Sequence, residues 1–245
     1  MDDVCVTILG CSDAFSSGAR GNTCFHIKSV DKQILLDCGA TALYSMKKWE
    51  LPSRDIDFIV ITHFHGDHFA GIPFVLLDML RSGHKKKLTI VSPPDGRKKI
   101  SEAINLFYPG TSVLHKLDID FIEFDGHQKL SHDGVTIESF PVSHSKATQP
   151  HGLRLELSGK TIAYTGDTQW TDIIPEILHN ADVAICECTF YKKSFSGHIN
   201  YKTLVQHLPE INCKKLLLTH FDDEMLEHIN EVEPITAYDG MIITL

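Results

Sequence analysis

Phe58-Ile59-Val60-Ile61-Thr62-His63-Phe64-His65-Gly66-Asp67-His68 decides the reading of this chain. Its first residues form an apolar run, the pattern of a buried strand. Four side chains that bind metal, His63, His65, Asp67 and His68, follow at once within six positions. Imidazole nitrogens and carboxylate oxygens are the donors that zinc and other first-row divalent metals accept. An H-x-H-x-D-H run at a strand end is therefore a metal-site signal, and chance clustering among the chain's 15 histidines is a poor account of it.

The same arrangement recurs three times further along. His144 follows the run Ile137-Glu138-Ser139-Phe140-Pro141-Val142, Asp167 follows Thr161-Ile162-Ala163-Tyr164-Thr165-Gly166, and His220 follows Leu216-Leu217-Leu218-Thr219. A lone histidine after a strand is usually a satisfied core or surface residue. Four polar stops after apolar strands carry weight together, because strand ends converging at one sheet edge build a pocket.

The length of 245 residues suits one large α/β domain, taken here as 1–245. The formal net charge of −9 argues against a large electrostatic footprint on nucleic acid. Lys85-Lys86-Lys87 and Arg97-Lys98-Lys99 read as solvated faces. Seven cysteines are an odd number without disulfide-scaffold spacing; Cys5, Cys24, Cys38 and Cys186 read as buried free thiols, and Cys186-Glu187-Cys188 is not taken as a metal site. Met1-Asp2-Asp3-Val4 shows no basic leader, and no apolar run approaches membrane-spanning length, so a reduced, cytoplasmic location is expected.

Strands are expected over 5–9, 23–28, 34–37, 57–61, 87–91, 120–124, 135–141, 152–157, 161–165, 183–187, 215–218 and 241–244. Helices are expected over 40–49, 73–81, 97–107, 170–179, 201–208 and 222–231. Asp133-Gly134 and Ser158-Gly159 are turn signals, and the second predicts a hairpin from Leu153 to Tyr164. The two halves repeat the same order of hairpins followed by βα units. Two facing sheets with helices outside account for that order.

H-x-H-x-D-H, a lone His, T-G-D-T and L-T-H-F together resemble the metallo-β-lactamase fold hydrolases, from Leu9-Gly10 to His220. The resemblance implies an α/β, four-layer αββα sandwich with two divalent metal ions at one edge. They would be Zn2+, with Mn2+ or Fe2+ as alternatives. It implies that His63, His65 and His144 bind one metal, that Asp67, His68 and His220 bind the other, and that Asp167 bridges them. Asp37 matches the early Asp that supports the site from behind. Two such ions lower the pKa of a shared water, and the resulting hydroxide attacks a carbonyl or a phosphorus. Asp67 is expected to orient that nucleophile or accept its proton.

Within this fold the activity varies widely. Leu9-Gly10-Cys11-Ser12-Asp13-Ala14-Phe15 with Arg20-Gly21-Asn22-Thr23 is similar to the opening of ribonuclease Z, although that group has a second Gly near Cys11 or Ser12. Glu187-Cys188-Thr189-Phe190 resembles its E-A-T-F segment, and Gly197-His198 its G-H-S-T segment, with Ile199-Asn200 in place of Ser-Thr. The resemblance makes Glu187 and His198 a catalytic pair. A carboxylate raises a histidine's affinity for the proton that a departing alkoxide needs. The tRNA-processing members carry a long arm between the third and fourth metal motifs, and the short interval from His144 to Asp167 has no room for it. A phosphodiesterase acting on a small phosphodiester (a cyclic nucleotide, cyclic phosphate or short nucleotide diester) is therefore expected, and tRNA is not. A lactonase or thioester hydrolase on the same scaffold, a ribonuclease Z-type RNA endonuclease, and a non-catalytic binding module are the alternatives. Family resemblance also suggests a homodimer. The segment Ser145–His151, with Phe69, Phe221 and Ser12, is expected to wall the pocket, and His151 is the remaining histidine expected nearest the site.

Overall fold

Two seven-stranded sheets face each other in the computed structural model, which describes residues 4–245. Met1-Asp2-Asp3, read above for a leader, lies outside the described residues. The strands of the first sheet are β1 (Cys5–Gly10), β2 (Cys24–Lys28), β3 (Gln33–Leu36), β4 (Phe58–Val60), β5 (Leu88–Ser92) and β6 (Ile119–Glu123). The second comprises β7 (Gln128–His132), β8 (Val135–Pro141), β9 (His151–Leu157), β10 (Lys160–Tyr164), β11 (Val183–Glu187), β12 (Leu216–Thr219) and β13 (Ile235–Thr236). The last strand, β14 (Ile242–Thr244), returns to pair with β1. The helices are α1 (Ala42–Lys48), α2 (Gly66–Phe69), α3 (Ile72–Arg81), α4 (Gly96–Phe107), α5 (Val113–Lys116), α6 (Ile174–Leu178), α7 (Tyr201–His207) and α8 (Asp223–Glu227).

Side-chain alternation sorts the apolar residues into layers. Ile34, Leu36, Phe58 and Val60 point between the sheets and join Leu153, Leu155, Ile162 and Tyr164. Their neighbours Leu35 and Ile59 point the other way, into a second cluster with Met46 of α1, Leu76 of α3 and Ile100 of α4. α6 and α7 supply Ile177 and Leu204 to the packing of the second sheet. The result is the expected αββα sandwich. Phe25 and Tyr164 link the sheets edge to face, with ring centroids 5.2 Å apart.

Strand direction matters most for function. β1 and β3 flank β2 antiparallel to it, and β4 runs parallel to β3. β8 and β10 flank β9 antiparallel to it, and β11 and β12 run parallel to β10. The C-terminal ends of β3 and β4 share one edge of the first sheet, and those of β8, β10, β11 and β12 share one edge of the second.

The hairpin expected from Leu153 to Tyr164 forms in that register, with Leu157 opposite Lys160 across Ser158-Gly159. Ser158 and Gly159 have φ of 50° and 71°, and Asp133-Gly134 has 44° and 82°, the left-handed pair of a two-residue hairpin turn. Two strands were not visible in the sequence. β7 is an edge strand, largely polar and solvent-facing, and β13 has two residues. The helix expected over 170–179 shortens to α6, because Pro175 sits in its first turn and Trp170 instead stacks on His207 at 4.3 Å. The helix expected over 222–231 splits into α8 and a 3-10 turn, Ile229–Glu231. All seven thiols are free, but Cys5 is only half-buried. No helix among the described residues is long and apolar enough to cross a membrane.

Asp78 of α3 pins that helix to its surroundings. Its carboxylate accepts from Lys47 Nζ at 2.6 Å, Ser53 Oγ at 2.6 Å and Arg81 at 2.8 Å. Burial alone would raise its pKa, but these donors hold it at about 2. The folded value lies below the unfolded one, so the stabilisation is present above about pH 4 and is lost as pH falls towards about 2. Asp78→Asn should therefore lower stability in urea by about 1–3 kcal/mol at neutral pH. The gap between variant and wild type should close on acidification; a gap independent of pH would refute the ionic account.

Candidate metal centre and acid pair

The polar residues after the strands meet at one edge of the sandwich. His63, His65, Asp67 and His68 follow β4, His144 follows β8, Asp167 follows β10 and His220 follows β12. α2 brings Asp67 and His68 inward, and the His68 N–H bonds back to the His65 carbonyl at 3.0 Å. Gly166 has φ of 58° and lies where a Cβ would meet the His151 carbonyl at 2.5 Å, so only glycine fits before Asp167. His220 adopts φ of 67° and Asp37 φ of 56°, a conformation side chains rarely take outside constrained sites.

Two groups of donor atoms converge: His63, His65, His144 and Asp167 in one, and Asp67, His68, Asp167 and His220 in the other. In the first, His65 Nδ1 lies 3.2 Å from His63 Nε2 and 3.0 Å from His144 Nε2. In the second, Asp67 Oδ2 lies 3.2 Å from His220 Nε2 and 3.3 Å from His68 Nε2, and Asp167 Oδ1 is 3.2 Å from His68 Nε2. Donors at a ~2.0 Å bond length around a tetrahedral ion are roughly 3.3 Å apart. His68 Nε2 and Asp167 Oδ1 are buried without a hydrogen-bond partner, which a cation between them would resolve. The residues present thus fit divalent metal.

The outer ring nitrogens explain why the inner ones are free. His68 Nδ1 donates to Asp37 Oδ2 at 2.7 Å, and His63 Nδ1 to Thr62 Oγ1 at 3.0 Å. His144 Nδ1 donates to the Gly197 carbonyl at 2.8 Å, and His220 Nδ1 to Thr189 Oγ1 at 3.0 Å. Each bond selects the tautomer whose Nε2 lone pair faces the cluster. Thr62 in turn donates to Asp37, and Thr189 to Glu187. Asp37 therefore stands behind the site as expected.

The electrostatics agree. Burial holds His63, His65 and His144 below the usual imidazole range, leaving them neutral. Burial also opposes charge on His68 and His220, but the neighbouring carboxylates outweigh it and raise both. Burial likewise opposes ionisation of Asp67 and Asp167, yet the surrounding imidazoles hold both low. The two ionised carboxylates are thus balanced by protons on His68 and His220, and a divalent cation bound there would take the place of those protons.

Glu187 and His198 also meet. His198 Nδ1 donates to Glu187 Oε1 at 3.0 Å. The Glu187 carboxylate is fully buried and also accepts from the backbone N–H groups of Thr168, Thr189 and Ile199 and from the Thr189 hydroxyl. Burial would lower the His198 pKa, but the Glu187 charge and hydrogen bond raise it.

The cluster and His198 open into a cavity of about 910 Å³, within the size range of small-ligand sites. Its walls differ from those expected. Ser145–His151, Phe69, Phe221 and Ser12 do not line it; Asp13, Phe15, Thr189, Phe190, Lys193, Phe195 and Asp222 do. The segment after His144 packs behind the metal loop, where Phe64 N bonds to the Thr148 carbonyl at 3.2 Å and His151 N to that of Thr62 at 3.2 Å. Phe69 turns onto Phe64, and Phe221 is buried beneath the Arg20 guanidinium. The quoted opening motif held Asp13 and Phe15, but its spacing gave no sign that they face the cavity.

A metallo-β-lactamase fold with a His/Asp cluster at the sandwich edge defines a metallo-hydrolase. The chain belongs to the family described as "Anti-Pycsar protein Apyc1", which it matches over residues 4–237. It is 33% identical to ribonuclease Z of Clostridium kluyveri, over 93% of this chain and 90% of that one. The crystal structure of the metallo-β-lactamase fold protein YhfI from Bacillus subtilis superposes with a TM-score of 0.80 at 25% identity, covering 100% of both chains. Human tRNase Z, short form, gives 0.79 at 23% identity and 98% coverage of each.

Asp37→Asn should weaken metal binding by roughly 10–100-fold, read by competition with a chromogenic chelator. Unchanged affinity would mean that Asp37 does not orient His68 for a metal.

Proposed function

We propose that this protein is a phosphodiesterase for a small phosphodiester: a cyclic nucleotide, a cyclic phosphate or a short nucleotide diester. The observation that carries this reading is the Glu187–His198 pair, at 3.0 Å, whose His198 faces the same cavity as the donor cluster. On this reading His63, His65, His144 and Asp167 would hold one divalent ion, and Asp67, His68, His220 and Asp167 a second; Zn2+ suits the donors, as do Mn2+ and Fe2+. Such ions would supply an activated water and neutralise charge on phosphoryl oxygens.

The chain's own residues do the rest. Asp67 would orient the attacking water or accept its proton. Glu187 fixes the His198 ring through Nδ1, so that Nε2 carries the proton to be delivered to the leaving oxygen. A departing alkoxide needs that proton; an activated carboxylic ester or thioester needs it far less.

Substrate size is supported from three sides. The cavity is on the small-ligand scale. The interval between His144 and Asp167 holds only a 3-10 turn and the β9–β10 hairpin. The match to C. kluyveri ribonuclease Z extends over 280 positions, more than this chain contains, so that relative carries insertions absent here. The alternative of a ribonuclease Z-type endonuclease draws on that same relative's name.

Metal-loaded protein should hydrolyse bis(p-nitrophenyl) phosphate, and chelator should abolish the turnover. His198→Ala should retain its metal yet lose roughly 10²–10⁴-fold in kcat on a cyclic nucleotide. The loss on bis(p-nitrophenyl) phosphate should be smaller, because nitrophenolate departs unaided. Equal turnover of the cyclic nucleotide by the variant would remove the acid role. Activity confined to a lactone or an acyl-glutathione would assign the protein to carboxylic esters instead.

A further inference from the structure

Two phenylalanines stand at the rim of the cavity with their rings in water: Phe15 is 87% exposed and Phe195 56%. An exposed aromatic ring on a loose loop would mean little, but Phe15 sits on a braced turn. The buried Asp13 Oδ1 accepts from the backbone N–H groups of Phe15 and Ser17, both at 3.1 Å, and from the Ser12 hydroxyl at 3.0 Å. Its Oδ2 accepts the Ser17 hydroxyl at 3.1 Å. Ser16, Gly18 and Ala19 take φ of 57°, 64° and 57°, and Gly18 N is tied to Asp223 at 3.2 Å. This turn holds an apolar ring in solvent although no apolar packing rewards it. Such an arrangement marks a recognition surface.

Phe195 belongs to the loop that carries the acid. Its ring centroid is 5.9 Å from that of Phe190 and 6.1 Å from that of His198. Lys193, whose ammonium lies over Phe190 at 5.1 Å, is the one Lys or Arg lining the cavity among the described residues. A polynucleotide would need a cationic track along its backbone. A rim of two phenyl rings beside a single cation suits one planar, uncharged group attached to one phosphodiester.

We propose that Phe15 and Phe195 form a stacking subsite for the nucleobase of the substrate, so that the enzyme selects nucleoside phosphodiesters over base-free ones. The proposal rests on the phosphodiesterase reading above and narrows it. A base stacked on Phe195 lies one ring away from His198, which leaves its sugar oxygen within reach of the acid. Stacking uses the face of the base rather than its hydrogen-bonding edge, so purines and pyrimidines both fit.

The experiment compares a 3′,5′-cyclic nucleotide with the 3′,5′-cyclic phosphate of methyl riboside, which lacks the base. Wild type, Phe15→Ala, Phe195→Ala and the corresponding Tyr variants are assayed metal-loaded and full-length. Wild type should prefer the nucleotide in kcat/KM. Each Ala variant should cut that preference roughly five- to a hundredfold, mainly through KM, and Tyr should restore it. A preference unchanged by either Ala substitution, or absent in the wild type, overturns the subsite. Calorimetric binding of a nucleoside 5′-monophosphate to the same proteins separates this idea from the reaction class. Binding weakened by Ala in a protein that hydrolyses neither diester upholds the base site and removes the phosphodiesterase reading. Equal turnover of both diesters does the reverse.

Discussion

A carboxylate buried behind two histidines of the donor cluster holds this site together. Asp37 has no exposure to solvent, and burial drives its pKa up. It stays useful as an anion because Thr62 and His68 all donate to it. Through His68 it reaches one donor group; through the Thr62 hydroxyl it reaches His63 in the other. Removing one partner from such a buried network costs far more than the net worth of any single bond, because the others are left unpaired.

The second sheet repeats the device. Glu187 accepts from the Thr189 hydroxyl, which accepts from His220 Nδ1, and Glu187 also takes His198 directly. Each sheet therefore contributes a carboxylate–threonine–histidine relay and a second histidine held by the same carboxylate. The difference lies in where that second ring ends. His68 is enclosed among Asp67 and Asp167, whereas His198 faces the cavity. One hydrogen-bonding pattern thus holds a ring of the donor cluster on one side and a cavity-facing ring on the other, and burial distinguishes them. Both relays sit at the C-terminal ends of strands, where the backbone is fixed by its neighbours and the side chain is free to turn inward.

How much of this was legible in the sequence depended on the range of the interactions. Apolar runs ending at His63, His144, Asp167 and His220 placed the donors, because strand pairing and side-chain alternation are local consequences of composition. The Leu153–Tyr164 hairpin was readable for the same reason, through Ser158-Gly159. The polar edge strand β7 carries no hydrophobic signal, and the two residues of β13 are too few to show one. The cavity walls depended on which loop overlies which. Ser145–His151 was expected there because it follows a donor in the chain, yet its backbone pairs with Thr62 and Phe64 and turns away. Phe15 and Phe195 are about 180 positions apart, and only the facing of the two sheets brings their loops to one rim.

Gly197 shows how closely the donor cluster and the neighbouring loop are linked. Its carbonyl accepts the His144 Nδ1 proton, its φ is 89°, and a Cβ there would stand 2.8 Å from that nitrogen. The loop that presents Phe195 and His198 is therefore clasped to a histidine of the donor cluster by a residue with no side chain. The two are mechanically joined: whatever fixes the His144 ring also sets the loop, and a loop out of place would turn His144 away from the other donors. A side chain at 197 would therefore be felt at the donor cluster, although glycine itself offers no donor atom from its side chain.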